Sequence, residues 1–292
     1  MQAIPAREYL KLFKLRICSL ITFSAIVGLI ATQSGGFSVY RMTFLIAATM
    51  LASASASAFN HYFDSDIDSV MKRTKRRPLP SGAGISGRTV LIAAGTLFAL
   101  SLLVAVKALN DMVALHLALG AFVYAFIYTV WLKRRSWTNI IIGGLAGSFA
   151  VLAGGASVRP ELCMPPIALA VIMFFWTPSH FWSFAIFHRE EYEKAGVPML
   201  PCVIGDSKTA LYILINTILL VASSFVPFLL GYNGWIYFAA ALSMGAYFIL
   251  WNVRLMRNPK KDIAWKNFKI SMMYLGVLFT ALIVDMTVKT LR

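Results

Sequence analysis

Apolar residues run through this chain in nine long blocks, near 15–33, 42–62, 89–107, 112–131, 138–158, 164–187, 209–230, 234–252 and 269–287. Each is close to the roughly 20 residues that an α-helix needs to cross a hydrocarbon layer, so the pattern predicts nine membrane helices. Connections after the odd-numbered runs are short: 34–41, 108–111, 159–163 and 231–233. Length and polarity collect on the other side. There, 64–88 and 188–208 are the longest acid-containing connections, and their placement after the second and sixth runs suggests a cap over one site. The basic connection 252–269 reads as a membrane-facing anchor. Small residues line several runs, as in Ala52-Ser53-Ala54-Ser55-Ala56-Ser57-Ala58 and Gly143-Gly144-Leu145-Ala146-Gly147, which favours close helix packing in lipid.

Composition agrees with the pattern. Hydrophobic residues make up 59% of the 292 positions and charged residues 13%, about half the charged fraction of a soluble domain; mean hydropathy is +0.72. The expected fold is an all-α integral membrane bundle, with no short-period repeat and no appended soluble domain, so residues 1–292 read as a single domain. The net charge of +15 has an account other than nucleic acid. Of 27 Lys and Arg residues, 22 lie on the side of the N-terminus, and Arg41, Lys107, Arg159, Lys289 and Arg292 lie on the other. Such asymmetry places the N-terminus in the cytoplasm and, after nine spans, the C-terminus outside. Membrane lipid is the expected surroundings and nucleic acid is not an expected partner. The first run lacks a small-residue cleavage signature and is read as a retained helix. Cys18, Cys163 and Cys202 are scattered, odd in number and without metal-site spacing, and are read as packing residues.

The chemistry concentrates at the end of the second run, in Asn60-His61-Tyr62-Phe63-Asp64-Ser65-Asp66-Ile67-Asp68. Acids next to a hydrocarbon layer are costly and mark a site. Asn60, Asp64 and Asp68 recur every four residues, which on a helix stacks their oxygens along one face; Asp66 falls off that face. An all-oxygen set suits Mg²⁺, a hard cation that completes its shell with water and substrate phosphate. An EF-hand loop is excluded because Ser69 and Lys75 stand at its glycine and glutamate positions. A cationic run follows, Lys72-Arg73-Thr74-Lys75-Arg76-Arg77. Arg73 and Arg77, with Lys72 as a further candidate, suit a diphosphate bridged by the metal.

These residues resemble the UbiA superfamily of intramembrane prenyltransferases, whose first signature is an N-x-x-x-D-x-x-x-D helix end. The longer run NHYFDSDIDSVMKRTKRRPLP is similar to the heme O synthases of that superfamily. A second stretch agrees. Trp176-Thr177-Pro178-Ser179-His180-Phe181-Trp182, then Glu190-Glu191-Tyr192-Glu193-Lys194-Ala195-Gly196-Val197-Pro198-Met199-Leu200-Pro201, stands where other UbiA enzymes carry a second D-x-x-x-D. A third covers Tyr128-Thr129-Val130-Trp131-Leu132-Lys133-Arg134-Arg135 and Asn139. The chain departs from the pattern at Ser179, commonly Pro, at Glu191, commonly Asp, and at Ala150, Val151 and Gly155, commonly a Pro pair and a Trp.

The resemblance implies nine helices around a central cavity in the bacterial inner membrane, with the site facing the cytoplasm. It implies Mg²⁺ and the transfer of farnesyl from farnesyl diphosphate to a vinyl group of heme B, with water addition, giving heme O and diphosphate. It places His180 at the heme, as a contact or axial ligand, and Glu191 on the same side with a metal role open to it. Lys133, Arg134 and Arg135 are candidates for the heme propionates, and Tyr62, Tyr124, Tyr128 and Trp176 for positive charge passing through the site. Heme O would pass to a heme A synthase or a terminal oxidase. Two rival readings are a UbiA-type enzyme with a quinone-precursor or chlorin acceptor, and a heme-binding or transport protein without catalysis. His61, on another helix face, reads as a packing or interfacial residue. Asp285, near the outer end of the last run, is expected to reach water.

Overall fold

The computed structural model describes residues 6–33, 36–82 and 84–290. Among them, nine helices are long and apolar enough to cross a membrane: α1 (Leu15–Thr32), α2 (Val39–Phe63), α3 (Gly87–Ala108), α4 (Asp111–Arg134), α5 (Asn139–Ala156), α6 (Met164–Phe187), α7 (Asp206–Leu229), α8 (Trp235–Arg257) and α9 (Lys261–Thr290). Each packs against the next in sequence and α9 returns to α1, so the order of the chain is the order around the bundle. Further contacts, most extensively α1 with α5 and α6 with α9, tie its interior.

Small residues set the α1–α5 contact. A methyl group at Gly28 would overlap the carbonyl oxygen of Val151, and one at Gly154 would overlap that of Ala25. The two backbones touch at both points, as expected where lipid supplies no hydrophobic drive and close packing does the work. The Gly143-Gly144-Gly147 group has the same role toward α4 and α6, lying against Tyr128, Thr177 and Met173.

The helices at the C-terminal end of the chain run past their apolar windows. The expected connection 252–269 shrinks to Asn258, Pro259 and Lys260, with helix on either side. A hydropathy window measures the thickness of the lipid, whereas the helix continues while its residues tolerate it. Arg254 and Lys266, flanking this turn, both lie over the Trp251 ring, 4.8 and 5.6 Å from its centroid. At the other end, the expectation for Asp285 fails. It is 4% exposed and accepts the backbone N–H of Gly234 just before α8, where helix N-terminal amides favour a negative charge over contact with water.

The loops at the α2, α4 and α6 ends pack together. Ile67 and Met71 from the first polar connection join Trp182, Ile186, Tyr192, Val197, Met199 and Leu200 in one apolar cluster. The Arg73 N–H reaches Glu191 Oε2 at 3.4 Å, and the Arg73 guanidinium lies 5.1 Å from the Phe184 ring. These contacts form the expected cap.

Candidate active site

Asn60 lies in the last turn of α2, and the helix breaks at Asp64 (φ −92°, ψ 3°) before a short helix, Ser65–Val70. The break does not scatter the row. Asp64 N–H donates to Asn60 O at 2.9 Å and Asp68 N–H to Asp64 O at 2.7 Å, so the four-residue spacing survives. All three side chains are buried, at 3%, 1% and 2% exposure, while Asp66 lies outside on Arg134.

A cation meets each member of the row. Lys14 Nζ donates to Asn60 Oδ1 at 2.6 Å, Lys133 Nζ to Asp64 Oδ2 at 2.5 Å, and Arg77 Nη1 to Asp68 Oδ2 at 2.6 Å. Asn60 Nδ2 also donates to Asp64 Oδ2 at 2.7 Å, which joins the first two pairs. Arg77 gets there because 71–82 folds as consecutive turns, with Thr74 Oγ1 closing onto Asp68 O at 3.0 Å. Lys133 gets there by a different device. Within α4, Val123–Trp131 is π-helical and is followed by a 3₁₀ turn, Leu132–Arg134. That local change of register, a frequent mark of functional sites, presents Thr129 to Asn60 and Lys133 to Asp64.

Burial and neighbouring charge perturb two ionisable groups here. Burial, with Arg77 nearby, holds the Lys14 ammonium down to about 7 against the pull of Asp64. The Arg134 guanidinium, 2.6 Å from Asp66, lowers that carboxyl to about 2. Lys133 and Arg134, expected at heme propionates, are thus paired within the chain to acids of the first motif. Lys72 is exposed, and its charge is felt by Glu190 in the second polar connection. His61 is 1% exposed, and neither ring nitrogen has a hydrogen-bond partner among the described residues.

His180 stands on α6, away from the acids. Trp176 stacks on it at 4.2 Å between centroids and 19° between planes, and Phe268 lies 4.5 Å away. Its Nδ1 pairs with Ser271 Oγ at 2.7 Å, and Trp176 Nε1 donates to Ser271 O at 2.7 Å. The imidazole is therefore fixed in plane by α9. Ser179, a departure from the resemblance, is at home in a buried polar net: it pairs with Thr217 Oγ1 at 2.8 Å and accepts from Asn216 Nδ2 at 2.7 Å. Asn216 also donates to Phe175 O at 2.5 Å, beside the carbonyl that Pro178 leaves without a helical donor. Glu191 faces His188, with Oε1 3.4 Å from Nδ1, as well as Arg73. Tyr124 and Tyr128 stack at 5.6 Å on the π-helical stretch.

The row offers oxygen donors at one buried place. Among the described residues no cluster of three or more His, Cys, Asp or Glu side chains could hold an ion, so any cation here would take two carboxylates and an amide from the protein. Asp64 Oδ1 is buried without a hydrogen-bond partner among the described residues. A buried carboxylate oxygen left unpaired is costly, and a bound cation relieves that cost. The donor set thus fits a hard divalent ion that brings water or phosphate for its remaining ligands. Two residues of this cluster, Lys14 and Thr129, escaped the sequence reading. Lys14 looks like its neighbours Lys11 and Arg16, and Thr129 like any small polar residue in an apolar span.

Comparison with known proteins places the arrangement in a family. The UbiA prenyltransferase family matches residues 21–278. A protoheme IX farnesyltransferase from Paramagnetospirillum magneticum is 48% identical over 282 residues, covering 96% of this chain and 98% of that protein. Among solved structures, digeranylgeranylglyceryl phosphate synthase superposes with a TM-score of 0.82 at 21% identity, covering 96% of this chain and 98% of the other. A UbiA homologue from Archaeoglobus fulgidus, bound to DMAPP and Mg²⁺, superposes with a TM-score of 0.69 at 19% identity, covering 94% and 99%; both likenesses concern the fold. The chain belongs to the UbiA prenyltransferase family and, within it, to the protoheme IX farnesyltransferases.

Proposed function

We propose that the chain is a heme O synthase that transfers the farnesyl group of farnesyl diphosphate to a vinyl group of heme B. The observation that carries the reading is the buried row Asn60, Asp64 and Asp68, each member met by a cation of the chain and Asp64 Oδ1 left without a partner. Mg²⁺ held by this row would neutralise the diphosphate and assist its departure. The chain's own cations do the rest of the charge work. Arg77 and Lys133, which pair with the acids here, are placed to turn to phosphate oxygens, with Lys14 and Arg73 beside them.

Loss of diphosphate breaks the C1–O bond of the farnesyl chain, and the leaving group keeps the electron pair. The vinyl group then bonds to C1, and water adds at its other carbon with release of a proton, giving the hydroxyethylfarnesyl side chain. The stacked Tyr124 and Tyr128 offer ring faces to passing positive charge. The apolar cluster of Ile67, Met71, Trp182 and Tyr192 limits solvent at the same end. His180, fixed by Ser271 and stacked rings, is the acceptor-side candidate for heme, and Glu191 lies between His188 and Arg73 in the cap.

The placement of 22 of 27 cations supports a cytoplasmic N-terminus and a site facing the cytoplasm of a bacterial inner membrane. Heme O would then pass to a heme A synthase or terminal oxidase. Incubation of the purified protein with heme B, farnesyl diphosphate and Mg²⁺, followed by mass analysis of the heme, tests the reading. A hydroxyethylfarnesyl adduct is expected; unchanged heme under conditions that sustain an authentic synthase contradicts it.

A further inference from the structure

Asn60 is the one neutral member of the row, and an amide serves a cation only if its oxygen faces the right way. Three side chains fix its orientation. Lys14 Nζ donates to Oδ1 at 2.6 Å, while Nδ2 donates to Asp64 Oδ2 at 2.7 Å and to Thr129 Oγ1 at 3.0 Å. In the reading above Lys14 and Asp64 belong to the machinery that would meet metal and diphosphate, and so would be drawn to those groups as well as to Asn60. Thr129 is neutral and fully buried.

Its hydroxyl is also committed. Thr129 Oγ1 donates its hydrogen to Tyr124 O at 2.8 Å, five residues back. In an α-helix a threonine hydroxyl reaches the carbonyl three or four residues back; the π-helical register of Val123–Trp131 puts the fifth within reach. With its one hydrogen spent, the oxygen can only accept, and what it accepts from is the Asn60 amide nitrogen. A flipped amide would set its oxygen against a lone pair.

We propose that Thr129 is a positioning residue that holds the Asn60 amide with Oδ1 toward the cation side of the site, through a hydroxyl whose direction the π-helix fixes. This rests on the reading of Asn60 as a metal ligand. Lys133, four residues further along α4 in the 3₁₀ turn, meets Asp64, four residues beyond Asn60, so the π-helix and the turn that follows it align the two pairs.

The test is Mn²⁺ binding to the purified, substrate-free protein, followed by the electron paramagnetic resonance of free Mn²⁺. Thr129→Val, which keeps the shape and removes the hydroxyl, is expected to weaken binding about tenfold, the effect of one buried hydrogen bond. Thr129→Ser, which keeps the hydroxyl, is expected to stay within about twofold of wild type. Equal binding by wild type and Thr129→Val overturns the proposal, as does a Ser variant as weak as the Val variant, because packing of the methyl would then be the cause. Thr129→Ala takes the place of Val in the same comparison if the Val variant does not fold. If Asn60→Ala leaves Mn²⁺ binding unchanged, or if wild type binds none, the metal reading of Asn60 falls and the Thr129 role falls with it.

Discussion

Lys14 carries the sharpest residue-scale contrast in the molecule. It stands three positions from Lys11, in the same basic lead-in to α1, yet Lys11 pairs with Glu8 in water while Lys14 turns its ammonium onto Asn60. Its backbone is left-handed, with φ 47° and ψ 49°, a conformation that costs a non-glycine residue about 1 kcal/mol and turns the chain between the helix Ala6–Leu12 and α1. Loss of a charge-assisted hydrogen bond costs roughly 1.5–3 kcal/mol. Lys14→Met is therefore expected to lower kcat/KM for farnesyl diphosphate by about 10- to 100-fold, and Lys11→Met to leave it within about twofold. Steady-state kinetics on the two variants checks this, and equal kinetics would remove Lys14 from the site. The row itself was legible because a period of four in oxygen side chains at a span's end has one geometric meaning. Lys14 was not, since nothing local separates it from Lys11 and Arg16.

At the scale of elements, apolar run length gave all nine helices, and what it missed has identifiable causes. The π-helical stretch of α4 is invisible because a change from i→i+4 to i→i+5 bonding leaves hydropathy unaltered. The ends of α8 and α9 were placed short because their basic residues lie outside the lipid window while remaining good helix formers. The stretch Gly143-Gly144-Leu145-Ala146-Gly147 reads as a packing surface and lies close against Tyr128, Thr177 and Met173, while Gly28 and Gly154, outside it, set the α1–α5 contact. Gly154 is the tighter test of that contact, since a methyl there meets the backbone of Ala25, whereas one at Gly147 meets the movable end of Met173 at 3.0 Å. Overpacking against backbone costs about 1–3 kcal/mol. Gly154→Ala is expected to lower the thermal unfolding temperature in detergent clearly and Gly147→Ala much less; the opposite order would contradict this account of the α1–α5 contact.

For the molecule as a whole, the chain brings three distant segments to one end of the bundle: Lys14 before α1, the row and turns after α2, and Thr129 with Lys133 on α4. The cap, in which Ile67 and Met71 pack on Tyr192, Val197, Met199 and Leu200, lies at that same end, and the stack around His180 is held between α6 and α9. The acids and the two long connections are legible because residues unusual beside lipid mark them, whereas His180 is singled out by the resemblance of Trp176-Thr177-Pro178-Ser179-His180-Phe181-Trp182. The partners of the acids are not legible, since they depend on tertiary register: Lys133 and Arg134 were expected at propionates and stand instead on Asp64 and Asp66. That placement pairs each acid of the first motif with a cation of the chain.

The claim on which this account turns is that the row ionises an allylic diphosphate with the help of a divalent ion. Farnesyl adduct formation on heme B, followed by mass analysis as Mg²⁺ is varied, tests it in wild type and in Asp64→Asn side by side. The account predicts that wild-type product rises to saturation with Mg²⁺ and stops in chelator, and that Asp64→Asn is slower by at least about a hundredfold at every concentration. Full product formation in chelator, or an Asp64→Asn variant that keeps the wild-type rate, would contradict it.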